Sequence, residues 1–187
     1  MNLILIGPPG AGKGTQAKYL VKKLKNFQVS TGDMLREEIQ KNSEIGKKIL
    51  DDMSSGKFVH DNIVNKLIEN ILLDPDKKNR LIFDGYPRSL SQAKNLEHLL
   101  VKTDQKIDFI FFLNVTKDTI IKRIEQRKIV EKRSDDDLET IIKRYETYME
   151  TTKPVLDFYS KNSKFYEIDG SSKIEEITAK IDAFLNV

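Results

Sequence analysis

The chain has 187 residues, of which 39% are hydrophobic and 33% charged, a balance typical of one globular domain with a large core. The 32 Lys and Arg against 29 Asp and Glu give a net charge of only +3, which does not indicate nucleic-acid binding. The absence of cysteine excludes disulfide bonds and thiolate-bound zinc. Because neither a signal-peptide pattern nor an apolar run of membrane-spanning length is present, we expect a cytoplasmic protein without membrane attachment.

The first predicted strand, Leu3–Ile6, leads directly into a glycine-rich segment, Gly7-Pro8-Pro9-Gly10-Ala11-Gly12-Lys13-Gly14-Thr15. Apolar residues at helical spacing predict a helix over about 13–24. A strand, a glycine-rich turn, a lysine and a helix in this order are the context that a phosphate-binding loop requires. Glycines allow backbone N–H groups to turn towards a phosphate, and the helix N-terminus adds partial positive charge. We therefore predict a phosphate-binding loop, with Lys13 reaching the outer phosphates.

Short apolar runs alternate with helical patterns along the rest of the chain. Further strands are predicted at 27–29, 81–83, 109–113 and 164–168. Helices are predicted from about 30 to 73 with a break near Gly56, through Leu90, Leu96 and Leu99, at about 116–127, at about 135–159 with a break or kink at Pro154, and at 174–185. This alternation predicts an α/β fold, a five-stranded parallel sheet with helices on both faces and ligands at the carboxyl ends of the strands.

Candidate residues follow the first three strands at that edge of the sheet. Thr31 comes after the second strand, next to Ser30 and Asp33, which have the spacing of a capping box. Asp84 ends the third strand, where an acidic residue helps to hold Mg²⁺ near a phosphate loop; a turn or helix-capping role is the alternative. Because Gly14 rather than Ser or Thr follows the lysine, we expect Thr15 to contact a phosphate and Mg²⁺ to be held largely through water.

Six arginines are concentrated after strand ends and in one helix–connector–helix unit: Arg36, Arg88, Arg123, Arg127, Arg133 and Arg144. A single surface arginine is usually no more than a solvated charge. A set of them suits phosphoryl transfer, which depends on positioned cations more than on acid–base residues. The chain lacks the guanine-binding and switch motifs of GTPases and the signature motif of transport ATPases. Transfer to a second substrate is therefore favoured over hydrolysis.

Four segments together resemble the adenylate kinase family: residues 7–15, Ser30-Thr31-Gly32-Asp33-Met34-Leu35-Arg36, Asp84-Gly85-Tyr86-Pro87-Arg88 and Arg133-Ser134-Asp135-Asp136. They occur in the family's order and cover essentially the whole chain. The resemblance implies a core of the P-loop nucleoside-triphosphate hydrolase type in a single domain, 1–187. A monophosphate-binding segment at about 30–59 and a short lid at about 127–133 would be inserted in that core. The implied reaction is reversible phosphoryl transfer from MgATP to AMP, giving two ADP, by a monomer.

The resemblance also implies roles for individual residues. ATP would be bound by Gly10, Ala11, Gly12, Lys13, Gly14, Thr15, Arg123, Arg127 and Ser172. AMP would be bound by Thr31, Arg36, Lys57, Phe58, Val59, Gly85, Tyr86, Pro87, Arg88, Gln92, Arg133 and Arg144. Lys13, Arg88, Arg123, Arg133 and Arg144 would be the catalytic residues, with Asp84 holding Mg²⁺ through water.

The choice of base depends on two of these positions. The Gln92 amide offers a donor beside an acceptor, which matches an edge of adenine, although a solvated helix residue is the plainer interpretation. Thr31 favours adenine because the related uridylate–cytidylate kinases typically carry Ala there. A UMP/CMP-type kinase and a non-catalytic nucleotide-binding protein remain the alternatives.

The lid departs from the longer form of the family, which inserts a small domain, often with zinc-binding cysteines. Here only Lys128-Ile129-Val130-Glu131-Lys132 separate Arg127 from Arg133. The segment has no glycine and two β-branched residues, which predicts a stiffer connector than the family's usual short lid. We expect no zinc.

Overall fold

The computed structural model describes residues 1–131 and 137–186, with the side chains of all of these except 127–131 and Leu138. Its centre is one sheet of five strands, β1 to β5: Leu3–Ile6, Phe27–Ser30, Leu81–Asp84, Phe109–Asn114 and Phe165–Asp169. The strands lie in the order β2-β3-β1-β4-β5, and every neighbouring pair is parallel. The predicted α/β fold with a five-stranded parallel sheet is confirmed.

Nine helices are present in the described part of the chain, numbered α1 to α9: Lys13–Leu24, Thr31–Gln40, Glu44–Ser54, Asp61–Leu72, Leu90–Lys102, Lys117–Glu131, Leu138–Thr151, Lys153–Tyr159 and Ile174–Leu185. A single 3₁₀ turn, Pro75–Lys77, follows α4. None of the helices, as far as residues are described, is both long enough and apolar enough to span a membrane.

The helices cover both faces of the sheet, as the alternation of side chains along β1 illustrates. Ile4 and Ile6 belong to one buried cluster with residues of α4, α5 and α8. Leu3 and Leu5 belong to a second cluster with residues of α1 and α9. Successive strand residues point to opposite faces, so each face of the sheet is closed by its own layer of helices.

The register brings the carboxyl ends of the first three strands to one edge. Asp84 of β3 lies opposite Leu5 of β1 on one side and Ser30 of β2 on the other. The phosphate loop, Thr31 and Gly85, which follow these strand ends, therefore meet at the same edge.

Two helical predictions need correction. The helix expected to end near Arg127 continues to Glu131, so most of the predicted connector belongs to α6; no glycine or proline is present there to end the helix. The helical stretch expected over about 30–73 with a break near Gly56 also divides at 41–43, between α2 and α3. The break or kink expected at Pro154 is a break, because α7 and α8 divide at Thr152. Pro154 lies in the first turn of α8, where the missing N–H costs no hydrogen bond.

Helices α2 and α3 pack unusually closely at Gly46. The Ser43 hydroxyl caps α3 by accepting the N–H of Gly46 at 2.9 Å. A Cβ at position 46 would overlap the carbonyl oxygen of Glu38 in α2. Glycine is therefore required here so that the two backbones can touch.

Candidate active site

The phosphate loop has the backbone conformation that its glycines permit. Gly10 and Gly12 lie in the left-handed region, with φ of +80° and +95°, and the N–H of Ala11 donates to the carbonyl of Pro8 at 3.1 Å. No side chain caps α1 at Gly12. The N–H groups of its first turn are consequently available, together with the positive end of the helix dipole, to an anion.

Lys13 folds back over this loop. Its ammonium Nζ donates to the carbonyl oxygens of Gly7 and Pro8, at 2.8 and 3.0 Å. The charge is thus held against the turn in which a phosphate would bind.

A cleft of about 500 Å³ opens in front of the loop. Six cationic residues contribute to its lining: Lys13, Lys18, Arg36, Arg88, Arg123 and Arg144. They come from distant parts of the chain, and Arg88 and Arg144 also line two smaller cavities beside the cleft. The acidic residues on the cleft wall are Asp33 and Asp84. Such a surplus of positive charge in one concave space suits a polyanionic ligand.

Gly85 organises the wall opposite the loop. Its φ of +75° turns its carbonyl oxygen so that it accepts from Thr31 Oγ1 at 2.9 Å and from Arg88 Nε at 2.7 Å. The Arg88 guanidinium also lies 5.0 Å from the centre of the Phe58 ring, a cation–π contact. Arg88 is therefore held in place from two sides, with its charge at the cleft.

Comparison with known proteins agrees with this geometry. A family model described as "Adenylate kinase" matches residues 5–164. The chain belongs to the adenylate kinase family. A protein named adenylate kinase from Pelagibacter ubique (strain HTCC1062) is 48% identical, with all of both chains covered. One from Caulobacter sp. (strain K31) is 43% identical over all of this chain and 99% of its own. Another, from Archaeoglobus fulgidus, is 37% identical over 99% of this chain and 98% of its own.

This member of the adenylate kinase family is accordingly a phosphotransferase, and its predicted residues can be placed in the structure. The residues predicted to bind ATP that line the cleft are Gly10 to Thr15 and Arg123. Arg123 Nη2 donates to the backbone carbonyl of Ser172 at 3.4 Å, so these two predicted contacts of ATP lie together. Arg127 has only its backbone described, within α6, and Arg133 lies outside the described residues.

Several residues predicted to bind AMP are distributed around the other wall of the same space. Arg36 lines the cleft and pairs with Asp33 at 2.6 Å. Lys57, Phe58 and Val59 line a small adjoining cavity together with Arg88 and Arg144. Pro87 lines the second small cavity.

Three predicted AMP residues are buried behind that wall. The Thr31 hydroxyl is engaged with Gly85, as described above. The Tyr86 side chain lies in the core, and burial raises the pKa of its hydroxyl to about 12. Gln92 is 2% exposed, and both ends of its amide have protein partners, one of which is Asp61.

Two polar residues that the sequence analysis did not single out contact predicted site residues. Gln28 Nε2 donates to Asp84 Oδ2 at 2.9 Å, and Asp61 accepts from Gln92 Nε2 at 2.7 Å. Gln28 could have been identified from the sequence, because it is a polar residue next to the end of a predicted strand. Nothing local marked Asp61, because its partners are about thirty residues away in sequence.

The surroundings of Asp84 fit a hydrated Mg²⁺. The carboxylate is 9% exposed, lines the cleft, and lies 3.5 Å from the position that a Cβ of Gly14 would occupy. Mg²⁺ is commonly held by one or two carboxylates together with water and substrate phosphates, rather than by a complete cage of protein ligands. The described residues contain no group of three or more His, Cys, Asp or Glu that could hold a metal ion.

Proposed function

We propose that this chain transfers the terminal phosphoryl group of ATP to AMP with residues of the one cleft described above, giving two ADP. The single observation that carries the proposal is the convergence of Lys13, Arg36, Arg88, Arg123 and Arg144 on that cleft. A site for one nucleotide would not need cations on both walls. Two phosphorylated substrates that meet end to end do need them.

The phosphate loop is the donor side. Backbone N–H groups of the loop and of the first turn of α1 bind the outer phosphates of ATP, helped by the helix dipole. Lys13 exchanges the carbonyl oxygens of Gly7 and Pro8 for phosphate oxygens, which lie in the same turn. The Arg123–Ser172 contact belongs to the far end of the donor, where Ser172 backbone groups meet the adenine.

The wall formed by α2, Phe58 and Arg88 is the acceptor side. Arg36 and Arg88 bind the phosphate of AMP, since both line the cleft and both guanidinium groups are already oriented by neighbours. Phe58, Val59 and Lys57 lie beside Arg88 and contact the ribose or base. Arg133 and Arg127 are proposed to complete the arginine set from the lid.

The transfer itself is an in-line displacement without a covalent enzyme intermediate. An oxygen of the AMP phosphate forms a bond to the terminal phosphorus of ATP, and the bond to the bridging oxygen breaks, leaving two ADP. Lys13, Arg88, Arg123 and Arg144 stabilise the charge on the transferring group, in a site where preorganised cations are worth several kcal/mol of barrier. No side chain has to remove a proton before the attack.

Asp84 is the proposed magnesium residue. Its carboxylate would hold the ion through water, with Gln28 fixing one of its oxygens. The chemistry that Mg²⁺ would supply there is neutralisation of part of the phosphate charge.

We also propose the single-domain arrangement, with residues about 30–59 as the monophosphate segment and about 127–133 as a short lid. The alignment lengths support a short form: the Pelagibacter relative aligns over 213 positions and the Caulobacter relative over 187. A chain of 187 residues thus lacks residues that the first relative has. We further propose a cytoplasmic monomer that binds ATP, AMP and ADP and neither nucleic acid nor membrane.

A coupled assay with ATP and each of AMP, GMP, CMP and UMP tests the function. We expect ADP formation with AMP at a rate at least about 100-fold above that with the other acceptors, on the scale of one well-formed base contact and its positioning effect. Faster turnover with UMP or CMP would instead identify the chain as a UMP/CMP-type kinase. Failure with all four acceptors, in folded protein that still binds ATP, would indicate a binding protein.

A further inference from the structure

The Gln92 amide is held at both ends in a buried position. Its Oε1 accepts the backbone N–H of Arg88 at 2.7 Å, and its Nε2 donates to Asp61 Oδ1 at 2.7 Å. Gln92 is only 2% exposed, so water cannot substitute for either partner.

These two partners have opposite polarity, and that fixes the orientation of the amide. A backbone N–H can only donate and an ionised carboxylate can only accept. If the amide rotated by half a turn, its oxygen would face the carboxylate of Asp61 and its NH₂ would face the N–H of Arg88. Both contacts would be repulsive in a buried site, which leaves one orientation.

Asp61 itself is held firmly. Its second oxygen, Oδ2, accepts from the Ser89 hydroxyl at 2.9 Å. The same hydroxyl accepts the N–H of Gln92 at 3.1 Å and so caps α5. The carboxylate therefore lies at the N-terminus of α5, where the helix dipole favours a negative charge.

The location of Asp61 connects these contacts of the Gln92 amide to the proposed acceptor site. Asp61 is the first residue of α4 and follows Lys57, Phe58 and Val59 after one intervening residue. Arg88, whose N–H holds the other end of the amide, lines the cleft and both small cavities. After these two bonds the amide retains one N–H and one oxygen lone pair, which the proposed function assigns to the base of AMP.

We propose that Asp61 is a positioning residue for base selection, which it exerts by fixing the Gln92 amide in the orientation that matches adenine and opposes guanine. Adenine presents an amine donor beside a ring-nitrogen acceptor, whereas guanine carries a carbonyl acceptor in place of the amine. An amide fixed in this orientation complements the donor and acceptor of adenine. Against guanine, its oxygen would face the carbonyl oxygen, and the contact would be repulsive. The inference rests on the proposed transfer to AMP.

The test replaces Asp61 with Asn and measures kcat/KM for AMP and for GMP, with ATP as the donor. Asn offers both a carbonyl and an NH₂, so Gln92 loses one of the two contacts that fix its orientation, and only the N–H of Arg88 still opposes a reversed amide. We expect the AMP-to-GMP ratio to fall by about 10-fold or more, the scale of one bidentate base contact, while KM for ATP stays unchanged. An unchanged ratio in active enzyme would overturn the inference.

Two further variants separate orientation from loosening of the structure. Asp51→Asn removes the same charge from an exposed position of α3 and should leave the ratio as it is. Ser89→Ala removes the other hydrogen bond of Asp61 and the cap of α5 but retains the Asp61–Gln92 contact; we expect lower stability with the ratio retained. An equal fall of the ratio in Ser89→Ala would show that general loosening is responsible and would also overturn the inference.

The ratio is measured within each variant, so incomplete folding of Asp61→Asn does not affect it. The failures of the two proposals are also distinguishable. If the unmodified chain does not phosphorylate AMP, the proposed function is wrong. If it does, and Asp61→Asn discriminates as well as the unmodified chain, only the role of Asp61 is wrong.

Discussion

The two walls of the cleft are built in different ways. The proposed donor wall is nine consecutive residues, 7–15, and its phosphate contacts would come mainly from backbone N–H groups and one lysine. The acceptor wall is assembled from side chains of separate elements: Arg36 of α2, Phe58 before α4, Arg88 after β3 and Arg144 of α7. The geometry of a continuous loop is set by the conformation of its own backbone. A dispersed wall depends on tertiary contacts such as those that Gly85 makes with Thr31 and Arg88.

This difference indicates how each wall fails. Removing the one charged side chain of the donor wall should abolish chemistry without disturbing the acceptor. The acceptor wall should lose function by degrees, according to how many contacts each residue makes.

The largest effect is expected for Lys13→Met. The substitution removes the only loop cation and leaves the backbone N–H groups in place, so kcat should fall by about 10³-fold with AMP affinity unchanged. Steady-state kinetics and AMP titration calorimetry measure the two quantities. Lys22→Met, at an exposed position of the same helix, is the matched control. A kcat within 10-fold of the unmodified enzyme would contradict the role of Lys13.

Arg88→Ala should have the next largest effect, and it should affect both the chemical step and the binding of AMP. We expect kcat to fall by about 10²-fold and KM for AMP to rise, because Arg88 lines both the cleft and the two small cavities beside it. Arg80→Ala is the control, since Arg80 is exposed and directly precedes β3 at its opposite end. If the two variants have equal activity, the acceptor wall does not use Arg88.

Thr31→Val should have a small effect confined to the acceptor. The replacement is similar in shape and removes the donor to Gly85, whose carbonyl keeps its bond from Arg88 Nε. One net hydrogen bond is worth about 1 kcal/mol, so KM for AMP should rise about 5-fold while KM for ATP remains the same. A larger rise in KM for ATP than for AMP would show that Thr31 does not belong to the acceptor wall.

Glu97→Gln tests whether charge on α5 matters away from the acceptor wall. Burial raises the pKa of Glu97 above its ordinary value of 4.5, so the folded protein holds this proton more readily than the unfolded chain does. The resulting stability is present below that ordinary value and is lost as the pH rises through the folded pKa. Because the group is partly exposed, Glu97→Gln should raise Tm at pH 7 by only about 1 °C.

That gain should disappear at about pH 3 and below, where the carboxyl is neutral in both states, and calorimetric scans at pH 7 and about pH 3 measure it. Kinetics with AMP should not change. A lower Tm at pH 7, or altered discrimination between acceptors, would contradict this assignment.

Most of the framework was predictable from the sequence because it depends on local patterns. Apolar periodicity placed all five strands and gave the bounds of α1 and α9, and the Ser30 hydroxyl caps α2 through the N–H of Asp33 as expected. Two helix bounds were wrong. Residues 117–131 contain no glycine or proline to indicate where α6 would end, and the break at 41–43 between α2 and α3 was not predicted.

The site was predictable in its members but not in their arrangement. Motif matching named Gln92, Thr31 and Tyr86, yet all three are buried behind the cleft wall, with partners that only the folded chain brings near. The Asp61 contact joins residues 31 positions apart and the Gln28 contact joins residues 56 apart. Such pairs arise from the packing of α4 on α5 and of β2 on β3, which no local pattern encodes.

The contact of backbone with backbone at Gly46 makes α2 and α3 one mechanical unit. No side chain lies between them there that could change rotamer and let one helix slide along the other. A movement that carries Arg36 towards a nucleotide therefore has to carry Lys48, exposed on α3, by the same rotation. A fluorophore attached at Lys48 would move together with Arg36. It would therefore report, from the outer surface of the molecule, that the acceptor nucleotide has bound.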